Sequence, residues 1–197
     1  MRQTDEIIRL AKENNGIVTT EMVTASGYLR GNLKYLADGG KLGRLTRGVY
    51  TLPEAREDAY VSLQSRYKRG IYARETALFL LGLTDRTPAR PHMTFPGTYN
   101  MTSPRKEGVF CGCAKEPFYS MGITVLLTPG GNPVRAYCAE RTLCDLLKTR
   151  SHADVQVIAA ALRRYMKRKK KDVKLLSEYA QALRVAKKLG PYLEALL

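Results

Sequence analysis

The stretch that decides the fold is residues 26–52, SGYLRGNLKYLADGGKLGRLTRGVYTL. Leu29, Leu33 and Leu36 recur at helical spacing, which predicts one helix with a single apolar stripe. The two glycines that follow Asp38 predict the end of this helix, because glycine is common just beyond a helix C-terminus. The predicted outer face is basic and aromatic, and it consists of Tyr28, Arg30, Gly31, Lys34 and Tyr35.

Two short strands are predicted after this helix. Residues 42–46 and 49–52 have strand character and are separated by a two-residue turn, so we expect a hairpin. Thr19 or Thr20 can cap a short preceding helix, which predicts a helix-turn-helix over residues 19–38. A helix-turn-helix followed by a hairpin predicts a winged helix-turn-helix.

Positive charge is concentrated on this stretch. Residues 26–52 contain five cations and one anion, whereas residues 1–25 contain three cations and four anions. A helix and a hairpin also occur in proteins that never contact DNA, but a basic patch on a groove-entering motif indicates DNA binding. Asn32 is the candidate reader of adenine. The predicted DNA-contacting residues are Thr19, Thr20, Tyr28, Arg30, Asn32, Lys34, Tyr35, Lys41, Arg44, Thr46 and Arg47.

The length and the net charge limit the possible classes of protein. A chain of 197 residues allows one domain or two small ones. A net charge of +15 favours a polyanionic partner, either nucleic acid or an anionic membrane surface. No apolar run approaches the roughly 18 residues of a membrane span, and the first residues do not begin a signal peptide. We therefore expect a cytoplasmic protein.

The rest of the chain predicts a mixed second domain. Residues 59–67 and 73–81 have helical spacing, and residues 88–133 are rich in proline, so helices are not expected there. The predicted fold class is α+β, with a winged helix-turn-helix at residues 1–55 and a mixed domain with a helical C-terminus at residues 56–197. Strands are predicted at residues 92–95, 109–113, 123–127 and 134–138, and further helices at residues 140–148, 153–167, 172–188 and 191–197.

Two motifs resemble one known family. The run LGRLTRGVYTLP at residues 42–53, which follows the helix-turn-helix, is similar to the N-terminal domain of AbiEi-type antitoxins. The run AERTLCDLL at residues 139–147, directly after a predicted strand, resembles the Glu-Arg-Thr-Leu-x-Asp-Leu-Leu helix of the same family's C-terminal domain. Both motifs occur in the family's order, and the resemblance covers most of the chain between residues 4 and 150.

This resemblance implies a function and two partners. It implies repression of the protein's own two-gene operon and antagonism of a nucleotidyltransferase-like toxin encoded alongside, as part of abortive infection, a defence against phage. Because the chain has one reading head, we expect an operator of inverted repeats in double-stranded DNA. The resemblance places antitoxic activity in the C-terminal domain without a stable toxin complex, so it assigns no toxin-contacting residue.

A second basic run lies near the C-terminus. Residues 163–174 contain eight cations and a single anion, Asp172. Such a run is often only a solvated surface, but it can also bind phosphates or a partner with an acidic groove. The cations of this second basic surface are Arg163, Arg164, Lys167, Arg168, Lys169, Lys170, Lys171 and Lys174.

Two other functions remain open from the sequence. The first is a winged-helix repressor of unrelated genes, whose C-terminal domain binds a ligand or dimerises. The second is an RNA-binding module that uses the C-terminal lysines. A neighbouring nucleotidyltransferase gene would favour the antitoxin.

No catalytic or metal-binding pattern is predicted. His92 and His152 have no carboxylate or cysteine at the spacing of a triad or a metal cage. No phosphate-binding loop occurs. We therefore expect no enzyme, no cofactor and no metal. The four cysteines lack the paired Cys-x-x-Cys spacing of structural zinc sites, so we expect buried, reduced thiols at Cys111, Cys113, Cys138 and Cys144.

Overall fold

The fold is α+β, as predicted. The computed structural model describes residues 2–55, 58–148 and 153–195. His152 lies outside the described residues, as do the last two residues of the helix predicted over residues 191–197. No helix within the described ranges is long and apolar enough to cross a membrane.

The chain divides into two compact units. Unit 1 comprises Met1–Lys68 and Leu127–Val134, and unit 2 comprises Arg69–Leu126 and Arg135–Leu197. The division of function at residue 55 stays a prediction, and the compact units divide the chain at other positions.

Within the described residues, unit 1 combines four helices with three short strands. In chain order they are α1 (Gln3–Glu13), β1 (Ile17–Thr19), α2 (Thr20–Ala25), α3 (Gly31–Asp38), β2 (Gly43–Thr46), β3 (Val49–Thr51) and α4 (Ala59–Arg66). The strands form one antiparallel sheet in the order β1-β3-β2. Helices α2 and α3 are the predicted helix-turn-helix, and β2 and β3 are the predicted wing.

The core of unit 1 fixes the orientation of α3. Leu33 and Leu36 are 0% and 1% exposed, which confirms two of the three positions of the predicted stripe. They pack with Ile7 and Ala11, which lie one turn apart on α1 and are also buried. Burying a leucine side chain contributes roughly 1.5–3 kcal/mol. This packing turns the opposite face of α3 towards solvent.

A hydrogen-bond network around the buried carboxylate of Asp58 connects α4 to the 127–134 loop within unit 1. One oxygen of Asp58 accepts two backbone N–H groups in the first turn of α4, which makes Asp58 its N-cap. The other oxygen accepts from the hydroxyl of Thr128 and, at 2.9 Å, from Nδ2 of Asn132. A Cβ at Gly130 would lie 2.9 Å from the same oxygen, so the loop approaches the carboxylate closely. These bonds hold the 127–134 loop in unit 1.

Unit 2 contains a five-stranded sheet and six helices in the described ranges. The strand order is β6-β5-β4-β8-β7, with β5 parallel to β6 and β4 parallel to β8. The main core lies among the helices α5 and α7 to α10. The elements are β4 (Ile71–Tyr72), α5 (Arg74–Leu80), β5 (His92–Pro96), α6 (Thr102–Lys106), β6 (Phe110–Ala114), β7 (Ile123–Leu127), β8 (Pro133–Tyr137), α7 (Ala139–Leu146), α8 (Val155–Met166), α9 (Val173–Ala182) and α10 (Ala186–Glu194).

Two predictions for unit 2 were wrong, and one strand was missed. The short strand β4 was not predicted, and α6 lies in the proline-rich stretch where no helix was expected. Pro104 is compatible with α6 because it lies in the first turn, where its missing N–H breaks no helical bond. The helix predicted over residues 172–188 is two helices, because Arg184 adopts a left-handed φ of 59° and ends α9.

The second motif forms α7, and its central arginine is buried. Arg141 is 1% exposed, and its Nε donates to Asp145 at 3.0 Å. Its Nη1 donates to the backbone carbonyls of Phe118 and Met121 at 2.6 and 3.0 Å, and its guanidinium lies 4.4 Å from the ring centroid of Tyr137. Arg141 therefore ties the loop before β7 to α7.

Candidate nucleic-acid interface

Local hydrogen bonds order the start of the helix-turn-helix. Thr19 is the N-cap of α2, since its Oγ1 accepts from the N–H of Met22 at 3.1 Å. The N–H of Thr20 donates to the carbonyl of Gly48 in the wing turn at 2.9 Å. Both threonines are half-buried. Each thus has a structural bond in the free protein, and its contact with DNA stays a prediction.

Helix α3 exposes the predicted reading face. Gly31, Lys34 and Tyr35 are all exposed, with 71% exposure for Tyr35. Arg30, directly before the helix, is exposed as well. The N-terminal residues of a recognition helix contact base edges, so Arg30 and Lys34 are exposed where such a helix would read DNA. Their contact with DNA stays a prediction.

The two residues before Arg30 are reversed relative to the prediction. Leu29, predicted in the apolar stripe, is 68% exposed. Tyr28, predicted on the outer face, is half-buried and packs against the core of unit 1. The reason is that α3 begins only at Gly31, so helical spacing does not apply to residues 28 and 29. Both orientation predictions were therefore wrong.

Asn32 is held by the first helix. Its Nδ2 donates to Oε1 of Gln3 at 2.9 Å, and the same oxygen accepts from the N–H of Leu29 at 3.3 Å. Reading adenine uses both ends of an asparagine amide, so this bond would have to be exchanged on DNA. Gln3 has a positioning role that the sequence did not indicate, because it lies 29 residues from Asn32.

The wing displays exposed arginines. Strands β2 and β3 pair antiparallel with Arg44 opposite Tyr50, and the register shifts between Arg44 and Thr46. Arg44 and Arg47 are exposed, Thr46 is half-buried, and Lys41 is exposed in the turn before β2. All five cations predicted as DNA contacts are therefore open to solvent.

Gly48 brings the wing turn against α2. Its φ is +81°, and a Cβ there would lie 3.0 Å from Oγ1 of Thr20. Gly27 has almost the same φ, +78°, but nothing lies within 4 Å of a Cβ at that position. The two glycines thus share a left-handed conformation, which strains a residue with a Cβ but not glycine, and they differ in the space around them.

Gly48→Ala is expected to lower the free energy of unfolding more than Gly27→Ala does. Each substitution places an alanine at a left-handed φ, which costs about 1–2 kcal/mol. The additional loss for Gly48→Ala reports the contact with Thr20. Urea unfolding of both variants measures this difference, and equal losses would contradict close packing of the wing turn against α2.

The second basic surface extends from the end of α8 through an ordered turn to the start of α9. The buried hydroxyl of Tyr165 donates to Oε1 of Glu140 at 2.7 Å and accepts from the N–H of Asp172 at 2.9 Å. Burial, together with Glu140, raises the pKa of Tyr165. Asp172 also caps α9. These bonds fix both ends of the lysine-rich turn.

The eight cations of this surface have different surroundings. Arg164 forms an ion pair with Asp85, and the hydrogen bond from Arg164 lowers the pKa of Asp85. Arg168 donates to the carbonyl of Leu81 beyond α5, and Nζ of Lys171 donates to the carbonyl of Arg168 at 3.3 Å. Seven of the eight cations are exposed: Arg164, Lys171 and the remaining five, which are Arg163, Lys167, Lys169, Lys170 and Lys174.

The cysteines only partly match the prediction. Cys144 is buried and Cys111 and Cys138 are half-buried, but Cys113 is exposed, so the expected burial of all four was wrong. Burial raises the pKa of Cys138 to about 11 and that of Cys144 to about 12, which keeps both thiols protonated at neutral pH. Among the described residues, no group of three or more His, Cys, Asp or Glu side chains could hold a metal ion.

Unit 2 also has a cavity of about 590 Å³ beside β6, which the sequence did not indicate. Arg74 lies on its wall, 5.3 Å from the ring centroid of Phe110. His92 contacts the same ring at 4.8 Å, and desolvation by burial lowers its pKa, so His92 is neutral at pH 7. The cavity is assembled from residues far apart in the chain, which explains why no local motif predicted it.

A family model matches the segment that carries the exposed basic face. Residues 5–53 match the family described as "Transcriptional regulator, AbiEi antitoxin". The winged helix is AbiEi-like. The match extends from α1 to just beyond β3, so the predicted AbiEi resemblance is confirmed for the helix-turn-helix and the wing. This description names the members of the AbiEi family as transcriptional regulators and antitoxins.

One solved structure extends the similarity beyond the AbiEi-like segment. The crystal structure of RV2827C protein from Mycobacterium tuberculosis matches with a TM-score of 0.52 and 17% sequence identity. The alignment covers 92% of this chain and 72% of that chain. At this identity the similarity shows the fold alone. The comparison with curated proteins gave no match.

Proposed function

We propose that this protein is a DNA-binding autorepressor and the antitoxin of an AbiEi-type toxin-antitoxin operon, acting in the cytoplasm. The observation that carries this proposal is the exposure of Arg30, Lys34, Arg44 and Arg47 on α3 and the wing, within the AbiEi-like segment. A basic face on a groove-entering element is what duplex DNA requires.

In this proposal α3 enters the major groove. Arg30 and Lys34 contact base edges, and arginine or lysine with guanine is the commonest specific contact. Helix α2 crosses the phosphate backbone, and the wing contacts phosphate or the minor groove. Since one chain has one reading head, two copies bind the inverted repeats of the operator cooperatively.

Replacing Arg44 and Arg47 with alanine is expected to weaken binding to all duplexes about equally. The slope of the salt dependence should fall by about one unit for each phosphate that the wing no longer neutralises. Fluorescence anisotropy at several salt concentrations measures the slope, with Lys12→Ala/Lys187→Ala as a control that removes two exposed charges elsewhere. A double wing variant with the wild-type slope would contradict phosphate binding by the wing.

The antitoxic activity is proposed to reside in residues 56–197 and to be independent of DNA reading. Its target is a nucleotidyltransferase-like toxin encoded beside it, antagonised without a stable complex as part of phage defence. The resemblance of residues 139–147 to the family's C-terminal helix supports this part of the proposal.

Co-expression with the adjacent toxin tests this separation. The full-length Arg30→Ala/Lys34→Ala variant is expected to rescue growth as well as the wild type does, although it no longer represses the operon. The toxin is expressed from an unrelated promoter, so that the absence of repression cannot raise its level. Loss of rescue would mean that neutralisation works through DNA. If the neighbouring genes encode no such toxin, the antitoxin proposal is abandoned in favour of a winged-helix repressor of unrelated genes.

A second candidate function is binding of RNA by the second basic surface. Its support is that the hydrogen bond from Asp172 to Tyr165 orders the turn, while seven of the eight cations of this surface are exposed. Competition between single-stranded RNA and duplex DNA tests it. Lys169→Ala/Lys170→Ala should abolish RNA binding and leave duplex binding unchanged. Unchanged RNA binding would show that this turn is only a solvated surface.

A further inference from the structure

An exposed leucine lies at the reading end of α3. Leu29 is 68% exposed, and single exposed leucines are common on protein surfaces. The backbone of Leu29, however, is held on both sides. Its N–H donates to Gln3 at 3.3 Å, and its carbonyl accepts from the N–H of Asn32 at 3.1 Å. The side chain is therefore displayed from an ordered position.

The charges around Leu29 select the kind of partner. Arg30 is the next residue and Lys34 lies one turn further along, and both are exposed. An apolar side chain among cations is poorly suited to an apolar protein surface, because binding would desolvate those charges. It suits the major groove of duplex DNA, where phosphates neutralise the cations and the thymine methyl group is the apolar feature of the base edges.

We propose that Leu29 selects thymine in the operator by packing against its C5-methyl group. This inference rests on the proposed DNA-binding function and adds a specificity-determining residue to it. Arg30 and Lys34 supply attraction and polar contacts, whereas Leu29 distinguishes bases by their methyl group.

Uracil substitution tests the contact, because uracil differs from thymine only by this methyl group. The probe is a duplex that the full-length wild-type protein enriches from random-sequence DNA. Each thymine is replaced in turn by deoxyuridine, and affinities are measured for the wild type and Leu29→Ala. Circular dichroism and sedimentation test whether the variant is folded and whether it has the wild-type oligomeric state.

For the wild type, one position per half-site should lose about fourfold in affinity with uracil, as expected for burial of one methyl group. Leu29→Ala should bind the thymine and uracil duplexes equally at that position. Equal uracil sensitivity in both proteins, or none in either, would overturn the proposal and leave DNA binding intact. A changed oligomeric state with no methyl effect would overturn it in favour of a contact between copies. Failure to enrich any duplex would overturn the proposed function as well.

Discussion

Arg141→Ala is expected to lower the free energy of unfolding by about 3 kcal/mol, since removing one partner of a buried ion pair costs about 3–5 kcal/mol. The variant loses the bond to Asp145 and leaves the carbonyls of Phe118 and Met121 without this donor. Nζ of Lys148 lies 2.6 Å from Oδ1 of Asp145 and still neutralises part of the charge of this carboxylate in the variant. The expected loss of stability is therefore at the lower end of this range.

Urea unfolding measures this loss, with Arg163→Ala as the matched control. Arg163 is an exposed arginine on α8, so its removal should change stability by no more than about 0.5 kcal/mol. Equal stability of the two variants would show that the Arg141 bonds do not hold unit 2 together.

Arg30→Ala/Lys34→Ala is expected to weaken binding to the enriched duplex by at least about 30-fold, since each base contact contributes about 1–3 kcal/mol of discrimination. Binding to random duplex should fall far less, because the wing still contacts phosphates. Anisotropy titrations with both duplexes give the ratio of the two affinities.

The control for this variant is Lys12→Ala/Lys187→Ala, which removes the same charge from exposed positions outside α3 and the wing. It should retain the wild-type ratio of specific to random binding. If both double variants lose the same affinity for both duplexes, Arg30 and Lys34 contribute only general electrostatic attraction.

Helical and strand periodicity predicted the elements that bury one regular face. Leu33 and Leu36 were placed correctly because they lie inside α3, where the helical repeat holds. Leu29 and Tyr28 were placed wrongly because the sequence does not mark where α3 begins. The N–H of Leu29 and Nδ2 of Asn32 both donate to Oε1 of Gln3 at that start, and these are tertiary contacts.

Networks between distant residues could not be predicted from local patterns. Asp58 and Thr128 are 70 residues apart, yet they share a buried hydrogen bond. The motif around Arg141 was recognised by resemblance, but its bonds to the loop before β7 depend on the folded sheet. The sequence correctly located the basic run at residues 163–174. It could not show that Arg164 pairs with Asp85 and that Arg168 donates to the carbonyl of Leu81, because these partners lie far away in the chain.

The most direct test is an NMR titration of the full-length protein with the enriched duplex, following backbone amide shifts. We predict that the largest changes fall on residues 29–38 and 43–48, which are the start and length of α3 and the wing with its turn. Residues 167–174 should show only small changes that disappear at higher salt. Large changes confined to residues 167–174, with α3 unperturbed, would contradict DNA recognition by the winged helix.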